Sequence, residues 1–350
     1  MDSFAATQAR MADLDDRIRA APDRFRVLTG ERPTGRLHLG HYFGTLSERV
    51  VLQSRGVEVL LVLADYQVIT DRDTSENVVA HVRDIVLDYL AAGLDPDTTT
   101  IFPHSAVPSL NQLLLPFLSL VTEAELHRNP TVKAETAASG RALSGLMLTY
   151  PVHQAADILF CKANLVPVGK DNLPHVELTR TVARRFNDRF GPVFPEPEPL
   201  VTASPEVPGV DGRKMSKSYG NAIALGMSED ETAAVIRRAR TDGDRRITFD
   251  PAQRPGVSAL LTTISLCTAT PPEIIADEIG DRGSAELKRR ATDAVNERFA
   301  DHRRRRSELG ADSDVVDAAL RSGIERATDI ADRTLDDVRE RMGMRYLPHR

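Results

Sequence analysis

Apolar residues fall into two alternating rhythms from residue 26 onward. A short strand-like run at 26–30, with Val27 and Leu28, precedes a stretch at about 39–53 whose apolar residues recur at helical spacing. The apolar run VEVLLVLAD at 57–65 then precedes a second helical stretch at about 75–93, closed by Gly93. This β-α-β-α order predicts a parallel sheet buried on both faces, because parallel strands are joined by crossover helices that cover the sheet. TTTIF at 98–102 and LVPVG at 165–169 predict two more strands, with a mainly helical insertion over 107–160 between them. A helix is expected at about 171–187. The segment 191–213 carries Pro192, Pro195, Pro197, Pro199, Pro205 and Pro208 and reads as loop.

Residues 1–24 read as a short charged helix ending at Ala21-Pro22, an appendage to the fold. Beyond about residue 228 the apolar positions keep helical spacing. Leu287, Ala291, Ala294 and Val295 form one stripe, and Ile324, Ala327, Ala331, Leu335, Val338 and Met342 form another. The expected architecture is α/β: a Rossmann-like parallel sheet with a helical insertion over 25–227, followed by a C-terminal α-helical domain over 228–350, with 1–24 as an N-terminal helical extension. No internal repeat and no low-complexity tract alters this picture.

Composition narrows the class. A chain of 350 residues with 41% hydrophobic content can bury a sizeable core. No run approaches the roughly 20 apolar residues of a membrane span. The first residues mix acids and bases where a signal peptide would be apolar, so no membrane partner and a cytoplasmic location are expected. The net charge of −6 argues against a protein that coats nucleic acid nonspecifically, and no DNA partner is expected. The run Arg303 to Arg306 reads either as a local RNA contact or as a solvated helix face. Cys161 and Cys267 lack metal-ligand spacing and read as core residues.

Two constellations carry chemistry. In TGERPTGRLHLGHYFG, from Thr29 to Gly44, a strand ends at Gly30, a glycine-punctuated loop follows, and His38-Leu39-Gly40-His41 opens the next helix. Parallel sheets bind ligands at the carboxyl ends of their strands, where helix N-termini favour phosphate. His38 and His41 are three apart and project from one side of the first turn. Gly40 lets a flat ring approach the backbone. The arrangement is neither GxGxxG nor a P-loop, which withdraws the usual warrants for hydride transfer and P-loop hydrolysis. The second constellation, Lys214-Met215-Ser216-Lys217-Ser218, places two ammonium groups on a loop that Gly209, Gly212 and Gly220 are expected to keep mobile. Such a flap suits polyphosphate, since phosphoryl chemistry depends on positioning and charge neutralisation.

HLGH and KMSKS, in this order and separated by a parallel-sheet domain, resemble the two signature motifs of class I aminoacyl-tRNA synthetases. The resemblance implies catalytic roles for His38, His41, Lys214 and Lys217, with magnesium-complexed ATP held by Arg32, Thr34, Gly40, His41, Gly169, Asp171, Lys214, Met215, Ser216 and Lys217. The stretch LMLTYPVHQAADILFCKANLVPVGKDNLPHVELTRTVARRFN, residues 146–187, is similar to the amino-acid pocket of tryptophanyl-tRNA synthetases, and the likeness runs from about Val27 to Met344. It implies that Asp157 accepts the indole N–H, that Tyr150 and Gln154 face the amino end, and that Val166 and Val168 line the indole slot. Leu28, Gly30 and Asn172 complete the implied L-tryptophan site. A tRNA(Trp) partner, a homodimer and Mg2+ with the nucleotide follow from the same resemblance.

The chain departs from the usual bacterial pattern at Leu28, Arg32, Gln154, Lys170 and Asn172, where that pattern has an aromatic, Gln, Met, an acid and Gln. Tyr150-x3-Gln154-x2-Asp157 also resembles the tyrosine-recognition pattern of tyrosyl-tRNA synthetases. PVGxD, HVELTR and the C-terminal helices resemble the tryptophanyl family instead. Two other classes compete: a small-metabolite adenylyltransferase, which shares an HxGH turn but is usually far shorter, and a non-catalytic paralogue, which predicts damaged signature motifs. Both motifs are intact.

Overall fold

The computed structural model describes residues 13–70, 76–139, 142–169, 173–201 and 207–346. At its centre is a five-stranded sheet in the order β3-β2-β1-β4-β5, with β1 Arg26–Glu31, β2 Glu58–Leu63, β3 Thr99–Pro103, β4 Leu165–Val168 and β5 Glu198–Val201. Every pairing is parallel. Alternate residues face opposite sides and feed separate cores. Val27, Val59, Leu61, Ile101 and Leu165 join one core, while Leu28, Leu60, Val62, Phe102, Val166 and Val168 join the other. Both faces are therefore covered, as parallel strands require. The chain runs outward from β1 through β2 to β3, then returns to lay β4 on the opposite side of β1. That reversal opens a crevice at the carboxyl ends of β1 and β4.

The C-terminal helices Gly283–Gly310 and Ser313–Arg341 close the fold. Ala327, Ala331, Leu335 and Val338 bury their stripe in the second core. The last helix crosses the edge strand β3 so closely that a Cβ on Gly323 would sit 1.9 Å from the Ile101 carbonyl oxygen. Arg326 donates to the Thr99 carbonyl at 2.9 Å and to the Asp97 carbonyl at 2.6 Å. These contacts occupy a strand edge that would otherwise be open to pairing with another chain.

Four expectations change. The proline-rich segment contains β5, with Pro199 inside it. A proline is tolerated there because β5 is an edge strand with one unpaired side. The predicted helix at 39–53 is three pieces: the turn Leu39–His41, a π-helical turn Tyr42–Leu46, and the helix Ser47–Ser54. The N-terminal helix at 13–20 is not an appendage, since it buries Leu14 and Ile18 in the core and pairs Arg17 with Glu198 and Asp15 with Arg55. The arginine run is largely internal. Arg303 donates to Thr232 and Asn296, and Arg306 is held by Asp84 and Asp88. Only Arg304 and Arg305 face outward.

Candidate active site

Site side chains sit where the strands end. β1 delivers Glu31 and Arg32, β2 leads to Asp65 and Tyr66, β3 to His104, and β4 to Gly169.

His38 caps the turn Leu39–His41 and forms a reciprocal box with His41. Its Nδ1 accepts from the Gly40 N–H at 3.1 Å, and the His41 Nδ1 accepts from the His38 N–H at 3.1 Å. Both neutral rings must then carry their proton on Nε2, so each presents one N–H donor away from the backbone. The rings lie 3.8 Å apart. Burial, His41 and the Lys217 charge lower the His38 pKa to about 3, and burial lowers that of His41. A Cβ on Gly40 would come within 2.9 Å of the His38 ring, so this glycine makes room for the folded-back imidazole. Gly30 is required by close approach of β1 to β2, where a Cβ would meet the Val62 carbonyl oxygen at 2.2 Å.

Behind His41 stands a charged group that sequence reasoning missed. Arg49, fully buried, donates to Tyr89 Oη, Thr29 Oγ1 and Glu31 Oε1, each at 3.0 Å. Glu31 Oε2 lies 4.0 Å from His41 Nε2. The visible signal was an arginine among apolar positions of an amphipathic helix, which demands internal partners once buried.

The second motif folds onto the first. Lys217 Nζ donates to the Gly35 carbonyl at 2.7 Å, and the Ile223 carbonyl accepts from the Leu39 N–H at 3.0 Å. Met215 is buried, and its Cβ would lie 3.8 Å from a Cβ on Gly40, while Lys214 is exposed. Asn221 clips the loop: its Oδ1 accepts from the Ser216 N–H, and its Nδ2 donates to Asp211 and to the Lys214 carbonyl. The expected glycine mobility is corrected for two of three positions. A Cβ on Gly209 would sit 2.3 Å from Asn221, and Gly212 has φ +85° with a Cβ 2.8 Å from Pro255. Close packing demands those two glycines. Gly220 alone faces open space.

The residues expected on the amino-acid side lie on the helix Gly145–Leu159. Tyr150 and Asp157 are buried and Gln154 is half-buried on it. The Arg32 guanidinium lies 5.8 Å from the centre of the Tyr150 ring, which joins the first-motif loop to this helix. Thr34 stays in that loop, its N–H bonded to the Arg32 carbonyl. Leu28, Val166 and Val168 pack on the same face of the sheet as Ala155 and Ala156. Asp157 Oδ1 is 3.3 Å from Nδ1 of the buried His104. Neither His104 nor its neighbours His153 and Asn111 was singled out, since nothing in the local sequence brings positions so far apart together. Asp171, Asn172 and the departure at Lys170 lie outside the described residues.

Residues 21–300 match the family model for tRNA synthetases class I (W and Y). Tryptophan–tRNA ligases of Lactococcus lactis and Streptococcus agalactiae are 39% and 40% identical, each over 91% of this chain and 98% of the relative. The tryptophanyl-tRNA synthetase of Campylobacter jejuni, solved with ADP and tryptophan, superposes with a TM-score of 0.79 at 28% identity, covering 91% of this chain and all of that one. The Mycoplasma pneumoniae tryptophanyl-tRNA synthetase gives 0.77 at 26%, over 91% of this chain and 97% of its own.

Proposed function

The chain belongs to the class I tRNA synthetases for tryptophan and tyrosine, and from the likeness of its relatives we infer that it is a tryptophan–tRNA ligase. It joins L-tryptophan to the AMP moiety of ATP with release of pyrophosphate and passes the tryptophanyl group to tRNA(Trp). The observation that carries this reading is the contact of Lys217 with Gly35, which ties the second signature motif to the loop leading into the first. Relatives of nearly the same length that act on tryptophan support the choice of amino acid.

In the first step a carboxylate oxygen of tryptophan attacks the α-phosphorus of ATP, the bond to the bridging oxygen breaks, and pyrophosphate leaves with the electron pair. The Nε2–H groups of His38 and His41 serve as neutral donors to phosphate oxygens, and Lys214 and Lys217 neutralise charge that grows on the departing pyrophosphate. Asp157 accepts the indole N–H, and Tyr150 and Gln154 face the amino end. Arg32, Thr34, Gly169, Asp171, Met215 and Ser216 hold the nucleotide, and Asn172 completes the amino-acid side. ATP enters as its magnesium complex. Among the described residues the group of side chains able to hold a metal is His104, His153 and Asp157. Two imidazoles do not suit magnesium, which prefers oxygen donors.

We assign residues 25–227 to catalysis and the helices beyond 228 to tRNA, in a cytoplasmic homodimer. No single helix among the described residues is long and apolar enough to cross a membrane. ATP–pyrophosphate exchange across the twenty amino acids tests the central reading: exchange with tryptophan is expected, and exchange with tyrosine alone would transfer the chain to the other branch of its family.

A further inference from the structure

A buried polar network stands behind Asp157. The Tyr66 N–H lies 2.8 Å from His104 Nε2, and because a backbone N–H can only donate, this nitrogen accepts. The proton of the neutral ring is then on Nδ1, which lies 3.3 Å from Asp157 Oδ1 and donates to it. Asp65 Oδ1 approaches Nε2 at 3.2 Å; it shares the Tyr66 N–H with that nitrogen and also accepts from the Ser105 N–H. His104 itself is held from its own carbonyl, which accepts from Asn111 Nδ2 at 2.8 Å. Asn111 Oδ1 in turn faces His153 Nε2 at 2.7 Å. His153 is one helical turn before Asp157, and its ring centre is 4.7 Å from that of His104. The chain thus joins the ends of β2 and β3 to the helix that carries Asp157.

We propose that His104 is a positioning residue for amino-acid selection: by clamping Asp157 Oδ1, it fixes the carboxylate so that Oδ2 is the acceptor offered to the substrate's ring N–H. This rests on the tryptophan reading of the site. A carboxylate without this clamp can rotate, and a rotating acceptor discriminates weakly between a ring with a donor and one without. Removing the clamp therefore lowers selectivity for the donor more than it lowers turnover.

The test is ATP–pyrophosphate exchange with tryptophan and with the analogue in which sulfur replaces the indole N–H. In the His104→Phe variant kcat/KM for tryptophan should fall about tenfold through KM, the scale of one hydrogen bond to a charged group. The kcat and the KM for ATP should stay near wild type, and use of the sulfur analogue should change little. His104→Asn, whose amide nitrogen can stand in for Nδ1, should restore most of the preference. In an Asp157→Asn background His104→Phe should add little further loss.

Equal losses on both substrates, or a loss that His104→Asn does not relieve, would overturn the proposal and leave His104 as packing. So would stoichiometric zinc retained on dialysis by the wild type and lost in His104→Asn, since His104, His153 and Asp157 bring their donor atoms within 4.8 Å of one another. If the wild type exchanged with tyrosine and not tryptophan, the function proposed above would fail. The same variants, measured with tyrosine against phenylalanine, would then decide the role of His104 separately.

Discussion

The Lys217 ammonium donates to the carbonyl of Gly35 at 2.7 Å across 182 positions of sequence. The bond holds the second motif shut on the loop that leads into the first. A cation bonded to a neutral carbonyl is poised to exchange that partner for a phosphate, because charge-assisted bonds are roughly twice as strong.

Lys217→Ala should therefore slow adenylate formation by about 10²–10³, the usual cost of one transition-state donor. Tryptophan affinity should stay close to wild type, since the charge it neutralises develops only as pyrophosphate leaves. Pre-steady-state exchange with calorimetric tryptophan binding separates the two. A raised tryptophan Kd with an unchanged rate would remove Lys217 from the reacting centre.

His41→Ala should reduce the activation rate while costing little stability. It removes one half of the cap on a short turn, worth about 1 kcal/mol, and leaves the Arg49 group bonded to Tyr89 and Thr29. Thermal unfolding beside exchange kinetics checks this: a large fall in Tm with activity tracking the folded fraction would make His41 structural.

The His38 ring gives a pH signature. Burial, His41 and Lys217 hold its pKa at about 3 in the folded chain, against about 6.5 when unfolded. As pH falls below 6.5 the unfolded chain takes up the proton first, so the stability linked to this ring is present above 6.5 and is lost progressively toward 3. Urea titrations of wild type and His38→Asn between pH 7.5 and 4.5 should show a steeper loss for the wild type, by up to about 1.4 kcal/mol per pH unit. His302, whose pKa burial lowers to about 4, contributes the same sign in both proteins. Parallel curves would refute the assignment.

Gly323→Ala should be strongly destabilising, because its Cβ would stand 1.9 Å from the Ile101 carbonyl oxygen and the last helix would have to lift from β3. A loss of about 2 kcal/mol or more is expected. Gly44→Ala is the control, since a Cβ there meets nothing within 4 Å and should cost almost nothing. Equal unfolding midpoints for the two variants would show that the close approach is not needed.

Strands β1 to β4 and the helical stripes were legible because each is a period imposed by burial: Val27 and Leu28, Leu60 and Leu61, Ala327 and Ala331 all lie where their spacing put them. β5 was not legible, because Pro199 marks a loop in any local reading and only the neighbouring β4 makes it a strand. The two motifs announced themselves through residue types rare in such spacing. Arg49, Asn221 and His104 did not. Arg49 and His104 act through partners far along the chain, Glu31 being the nearest bonded to Arg49, and a bond between distant positions leaves no periodicity to detect. Asn221 clips groups only 5 to 10 positions away, within a loop that has no periodicity of its own. Gly209 and Gly212 show the converse error, since a glycine needed for tight packing looks the same in sequence as one that confers freedom.

The helix Ser313–Arg341 that covers the edge of β3 has a consequence for biosynthesis. All five strands have been made once residue 201 is built, yet β3 keeps a bare edge until the final helix emerges and Gly323 settles against Ile101. During the interval the nascent chain carries a parallel strand with one open edge, of the kind that recruits other chains. A ribosome stalled between those points would hold a nearly finished sheet with that edge exposed, and docking of the helix Ser313–Arg341 is the event that covers it.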